Sequence, residues 1–152
     1  MSAALAAAFR SRAEFRERES GGFDLESTDF ESRVRIEDGP VLVQELPTLD
    51  ATVVGETVAA VVEEGWEETF RRRARDVDRV LDSPDAEPEI TRDGDTLRVR
   101  IELPSDQAEA PEAALAAANY VEGTWVEGIV PGYDYDERVR AIRDRARETG
   151  DT

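Results

Sequence analysis

The chain has 152 residues, the size of one ordinary domain, and its 36 acidic side chains outnumber 19 basic ones, all Arg, for a formal net charge of -17. It contains no Cys, His or Lys. A disulfide framework, a thiolate nucleophile, an imidazole base, a zinc-thiolate site, a Schiff base and a Walker-type phosphate loop are therefore excluded.

An acidic surface of this kind binds water and cations and stays soluble at high ionic strength, where screening relieves self-repulsion. The composition resembles that of a haloarchaeal cytoplasmic protein. The first residues have no basic region ahead of their apolar run, and no later apolar run is long enough for a membrane helix. We expect a cytoplasmic protein with no membrane contact, and with no nucleic-acid partner because its field repels a polyanion.

The first part of the chain changes from a helical to a strand-like pattern. Residues 2–18 are rich in Ala, Glu and Arg, and Gly21-Gly22 follows them, which predicts a first helix. Apolar and charged residues then alternate, and Asp38-Gly39 is typical of a hairpin turn. The alternation predicts three antiparallel strands, around Phe23 and Leu25, around Val34 and Ile36, and from Val41 to Leu46.

Apolar residues recur every three or four positions from Val53 to Leu81, which predicts one long helix. Its acidic residues come first and its Arg residues last, an order that suits the helix dipole. Gly65 interrupts the apolar stripe beside Trp66. Because Gly in a helix costs up to about 1 kcal/mol relative to Ala, we expect a close neighbour at Gly65 that compensates for it.

The last part of the chain predicts a second hairpin and two more helices. The hairpin spans residues 89–92 and 96–103 and turns at Asp93-Gly94. Pro111 is typical of a helix start, and a helical stripe extends from it to Ile129. A short last helix is predicted from Val139 to Ala146.

The predicted fold is a single α+β domain over residues 1–152, with the element order α-β-β-β-α-β-β-α-α. About five mostly antiparallel strands form a sheet that packs against the long central helix. We predict a disordered tail at residues 148–152.

Large aromatic residues, Gly and Pro are concentrated in one stretch, NYVEGTWVEGIVPGYDY, at residues 119–135. One interpretation is a binding pocket; the other, which helical spacing favours, is that the aromatic residues pack on the sheet. The two tyrosines beyond Pro131-Gly132 lie outside the helical stripe and are candidates for a partner-binding edge. The tentative binding residues are Tyr120, Trp125, Tyr133, Tyr135, Glu122 and Glu127.

Two segments, VVEEGWEETFRRR and YVEGTWVEGIVPGYDYDERV, resemble a small family of haloarchaeal proteins known as a domain of unknown function. The resemblance extends from Phe9 to Arg147 and implies no activity. The order of elements also resembles the fold of type III secretion chaperones and YbjN-like proteins. That second resemblance implies dimerisation and the binding of unfolded peptide segments.

The leading functional hypothesis is a non-catalytic interaction module, an adaptor or chaperone-like protein, with a protein partner or a second copy of itself and with no cofactor, metal or catalytic residue. Acidic clusters such as Asp93 and Asp95 lack the ligand spacing of a calcium loop, so we expect only weak contacts with cations. The alternative is a hydrolase that uses a pair of carboxylates, the one enzyme class that the residue inventory permits. An exposed apolar groove favours the first hypothesis, and a deep pocket with two convergent carboxylates favours the second.

Overall fold

A computed structural model describes residues 2–83 and 86–150, and for residues 2 and 147–150 it describes the backbone alone. The described elements form an α+β fold, as the sequence predicts. In chain order they are α1 (Ser2–Arg10), β1 (Phe15–Glu17), β2 (Phe23–Leu25), β3 (Glu31–Ile36), β4 (Pro40–Pro47), α2 (Leu49–Thr52), α3 (Ala60–Ala74), α4 (Val77–Val80), β5 (Glu89–Asp93), β6 (Thr96–Glu102), α5 (Ala110–Glu127) and α6 (Glu137–Gly150).

The described strands form one six-stranded antiparallel sheet in the order β1-β2-β3-β4-β6-β5. In the central rows, Leu42 of β4 stands between Val34 of β3 and Ile101 of β6, and all three are buried. Because side chains alternate between the faces of a strand, one face of the sheet carries the core. On the opposite face Arg33 and Arg100 flank Val43.

The sixth strand is β1, which lies inside the segment predicted as the first helix. That helix ends at Arg10, and Phe15 begins a strand that pairs with Leu25 of β2. The Phe15 ring packs edge-on against Phe9, with 5.0 Å between ring centroids. Ladder pairing and aromatic burial therefore override the helix propensity of the surrounding Ala, Glu and Arg residues.

The predicted long helix from Val53 to Leu81 is wrong in its bounds, because the segment contains a β-bridge at Val53, a loop, α3 and α4. Gly55, at φ +80°, lies in the loop, and the Val58 amide donates to Asp50 Oδ1 (2.7 Å). The apolar period continues through these breaks, so it does not reveal them. Its buried members are Val58, Trp66, Phe70, Ala74 and Val77.

The helix that lies against the middle of the sheet is α5, not the long helix of the prediction; α3 and α4 pack against α5. Gln44 of β4 donates from Nε2 to Ser32 Oγ (3.0 Å) and to the Ala118 carbonyl of α5 (3.4 Å). Four of the nine buried residues of α5 are Ala, and these small side chains allow its backbone to approach the sheet closely.

The outer edge of β5 is protected. Arg71 of α3 donates from Nη1 to the Ile90 carbonyl at 2.8 Å and holds Glu67 with its Nε at 3.0 Å. An exposed strand edge is a template for pairing with another chain, and a charged side chain bonded to it removes an acceptor from that template. None of the described helices has the length and apolar content needed to cross a membrane. Of the predicted tail, residues 151 and 152 lie outside the described residues.

The close neighbour expected at Gly65 is absent from the described structure, because Gly65 is exposed and a Cβ built on it has no atom within 4 Å. We expect Gly65→Ala to raise the free energy of unfolding by about 0.5 to 1 kcal/mol, since Ala removes the entropic cost of Gly in a helix. Urea denaturation measures the change. The matched control is Gly22→Ala, expected to destabilise because Gly22 has φ +80° and its Cβ would stand 2.7 Å from the Val34 carbonyl oxygen. A loss of stability in Gly65→Ala would contradict the open position.

Candidate functional site

Trp125, the largest predicted binding residue, is fully buried, which confirms the core interpretation that its helical spacing favours. Its ring centroid lies 5.0 Å from that of Phe30 and 6.3 Å from that of Trp66, both in edge-on geometry. The Trp125 indole N–H donates to the Pro47 carbonyl at 2.9 Å. With its ring surrounded and its donor bonded, Trp125 has no surface left for a ligand.

The two tyrosines beyond Pro131-Gly132 do not form the free edge that the sequence suggests. Tyr135 is buried, forms a β-bridge with Val53 and donates its hydroxyl proton to the Val130 carbonyl. Burial raises the pKa of the Tyr135 phenol. Tyr133 is half-buried and packs against the core. Tyr135 is therefore core, and Tyr133 partly so.

Glu122 is also buried, and its carboxylate holds the segment before β3. Its two oxygens accept from the backbone amides of Asp29 (3.1 Å) and Phe30 (2.7 Å). Burial raises the pKa of Glu122, and the two amide donors oppose that rise. Arg145 of α6 adds an ion pair to Asp29. The arrangement uses both carboxylate oxygens for the fold, so it gives Glu122 a structural role.

An open groove runs between α3 and α5, and we name it the α3–α5 groove. Its volume is about 330 Å³. Of the six predicted residues Glu127 lines it, and Tyr120 crosses its end, where the Tyr120 hydroxyl donates to the Arg73 carbonyl at 2.9 Å. The main lining residues are Gly65, Trp66, Thr69 and Arg73 of α3, and Thr124, Glu127 and Gly128 of α5 and its C-cap.

The Trp66 indole N–H is the unusual group of this groove. The side chain is 5% exposed, and its Nε1 is buried without a hydrogen-bond partner among the described residues. A Cβ on Gly128 would stand 3.4 Å from this nitrogen, so the N–H lies next to Gly128, and both residues line the groove. A buried donor without an acceptor costs about 1 to 3 kcal/mol, and such groups are rare in folded proteins.

The chemistry of the groove suits a neutral acceptor. Its floor is aromatic, from the stacked rings of Trp66 and Phe70, whose centroids lie 6.0 Å apart. Gly65 and Gly128 leave two positions of its walls without side chains, which lets a backbone come close there. Arg73 and Glu127 give the lining one charge of each sign, so it has no net charge to attract an ion. A neutral carbonyl oxygen is therefore the acceptor that matches the indole donor.

A family model matches residues 10–145 of this chain. The chain belongs to that family. The family is described as a family of unknown function (DUF5813). The membership confirms the predicted resemblance to a domain of unknown function. No curated protein and no solved structure matches the chain. A haloarchaeal origin and a chaperone-like fold stay predictions.

Every residue of the α3–α5 groove lies within the region that the DUF5813 family model matches. In the sequence, Trp66 is one more apolar residue of a helical stripe. That pattern does not show that its indole N–H lacks an acceptor. One sequence feature could have indicated the groove: Gly65 directly precedes Trp66, and a second Gly lies at position 128. Glycines beside a large aromatic residue leave room for a backbone.

The carboxylate pairs that the fold brings together have other roles. Glu31 and Glu45 face each other across β3 and β4, and the main reason that the pKa of Glu45 is raised is that its protonated form donates a hydrogen bond to the Glu31 carboxylate. The depression beside them measures about 20 Å³, which suits a water molecule and not a sugar ring. Glu63 Oε2 accepts from the Asp50 amide at 2.9 Å and so anchors α2.

Proposed function

We propose that this protein is a non-catalytic interaction module that binds an extended segment of a partner protein in the α3–α5 groove. One observation supports the proposal above the others: the buried Trp66 indole N–H has no acceptor among the described residues and lies next to Gly128 in the lining of an open groove. An extended chain that leaves a carbonyl unpaired offers the acceptor that this donor lacks.

A helical ligand fits this site less well. The carbonyls of a helix are bonded within the helix except in its last turn, so a helix laid along the groove offers the indole no acceptor. A groove of this size contacts only a few residues of a partner, and such a small interface is typical of a weak, transient interaction. Pairing at the β5 edge is a poorer alternative, since Arg71 already occupies the Ile90 carbonyl.

The hydrolase hypothesis ranks second. It requires two carboxylates that converge on a substrate-sized cavity. The pairs described above lie against a depression of about 20 Å³ or hold backbone amides. Three more carboxylates, Asp82, Glu109 and Glu112, line a cavity of about 600 Å³ beside α4, but all three are exposed to solvent. They therefore support this hypothesis less than the free indole donor supports binding.

The test compares two Gly→Ala variants of the same helical segment. Gly128→Ala adds a methyl group 3.4 Å from Trp66 Nε1, and the backbone there, at φ -84°, accepts Ala. Gly123→Ala is the matched control, because its Cβ meets no atom within 4 Å and does not line the groove. The probe is a synthetic peptide enriched by the wild-type protein from a random octapeptide library, with affinity measured by fluorescence anisotropy.

We expect Gly128→Ala to weaken binding of the peptide by roughly tenfold or more, which corresponds to about 1.4 kcal/mol. Gly123→Ala is expected to bind as the wild type does. In NMR spectra of the wild type, the peptide is expected to move the indole N–H signal of Trp66 downfield and to leave that of Trp125 in place; Trp66→Phe assigns the two signals. The proposal would be overturned if no peptide were enriched or if both variants bound the peptide equally. It would also be overturned if the Trp66 signal did not move, because the indole N–H would then bind water only.

A further inference from the structure

The α3–α5 groove lies along one face of α5. Ala116, Tyr120, Thr124 and Gly128 recur every four positions, so they lie on one face of the helical segment. Beyond Tyr120, toward the start of α5, a second cavity of about 600 Å³ lies between α5 and the end of α4. We name this cavity the α4–α5 cleft. Tyr120 lies between the groove and the cleft in the sequence of α5.

The α4–α5 cleft combines an apolar wall with an acidic rim. Val80 is 43% exposed there, and Leu81, Ala113 and Ala116 extend the apolar surface. The charged lining residues are Asp82, Glu109 and Glu112, with no basic residue among the described lining.

Within the described part of the chain, only one of the three rim charges is paired. Arg12 pairs with Glu112 at 3.1 Å, whereas Asp82 and Glu109 have no ion-pair partner among the described residues. A long basic side chain complements this arrangement, because its alkyl stem covers apolar surface while its charge meets the carboxylates. A second copy of this chain suits the cleft poorly, since both copies carry a net charge of -17.

We propose that the bound segment places an Arg or Lys side chain in the α4–α5 cleft, about five or six residues from the carbonyl that binds Trp66. The spacing follows from the helix: Ala116, which lines the cleft, and Gly128, which lies beside the Trp66 N–H, are twelve positions apart, or about 18 Å at about 1.5 Å per residue. An extended chain covers that distance in about five to six residues at about 3.3 Å each. The inference rests on the proposed function and defines its partner as an extended basic segment.

The experiment uses the enriched octapeptide and the double variant Asp82→Asn/Glu109→Gln. Both changes keep the shape of the side chain, and Asn tolerates the left-handed backbone of position 82, where φ is 50°. The control is Glu64→Gln/Glu68→Gln, which removes the same two charges from exposed positions of α3 that line neither cavity. Each protein is titrated with the peptide and with a version in which its basic residue is Gln, at one KCl concentration.

We expect the enriched peptides to share a basic residue, and Asp82→Asn/Glu109→Gln to weaken binding by roughly five- to tenfold while the control changes it little. The difference between the double variant and its control should vanish with the Gln peptide. If the double variant binds like its control while Gly128→Ala still abolishes binding, the proposal of a basic segment is wrong and the proposal of binding in the groove stands. If Gly128→Ala has no effect, both proposals fail.

Discussion

Replacing Trp125 with Ala is expected to lower the free energy of unfolding by about 3 to 5 kcal/mol, a large part of the stability of a typical domain. The side chain is fully buried between Phe30 and Trp66, so its removal leaves a cavity and breaks two edge-on ring contacts. It also removes the donor to the Pro47 carbonyl, which lies at the end of the central strand. Urea denaturation followed by circular dichroism measures the loss.

Trp125→Phe separates packing from hydrogen bonding. It retains an aromatic ring in the core but leaves the Pro47 carbonyl without its indole donor. We expect a smaller loss of about 1 to 3 kcal/mol, which includes the cost of an unsatisfied buried acceptor. Near-wild-type stability of Trp125→Ala would show that the core closes over the missing ring, against the packing described above.

The second large effect is the dependence of stability on salt. The net charge of -17 is held on one small domain, and at about 1 M salt the screening length falls to about 3 Å. Salt also weakens attractive pairs such as Arg10–Glu17, but exposed pairs contribute only about 0 to 1 kcal/mol each. We expect the relief of repulsion to exceed the loss of attraction, and the thermal midpoint to rise by roughly 10 °C or more between 0.1 and 2 M KCl. The midpoint of a domain of this size shifts by about 2 to 4 °C for each kcal/mol of unfolding free energy.

Thermal unfolding at several KCl concentrations tests this expectation. Sucrose is the control, because it is excluded from the protein surface and strengthens apolar burial without screening charge. A midpoint that rises with KCl well beyond its rise in sucrose of equal osmolality identifies screening as the cause. A midpoint that does not move with KCl would refute the interpretation of the acidic surface as an adaptation to brine.

Local patterns predicted most elements of the fold because they report which face of an element is buried. The alternation of Leu97, Val99 and Ile101 predicted β6, and all three residues are buried on one face of the sheet. Pro111 marked the start of α5 within one residue. The same signals missed β1, since a three-residue strand is too short to show a period and its pairing with β2 is a tertiary contact.

The site was predicted less well than the fold. Burial of Trp125 follows from its helical spacing, but the spacing gave no indication that Trp125 finds an acceptor in Pro47 and that Trp66 finds none among the described residues. Both tryptophans belong to apolar stripes, and a stripe carries no information about hydrogen-bond partners across the core. Tyr135 was misread for a related reason, because its β-bridge to Val53 joins residues far apart in the chain.

By itself, the sequence determined the α+β class, the burial of Trp125, the resemblance to a family of unknown function and the exclusion of chemistry that needs Cys, His or Lys. These properties depend on composition, local period and motifs. Only the tertiary structure decided that α5 and not α3 covers the middle of the sheet, and that α3 and α5 leave a groove over the Trp66 donor. The physical reason is that periodicity shows that a face is buried, whereas its neighbours are chosen by packing between segments distant in the chain.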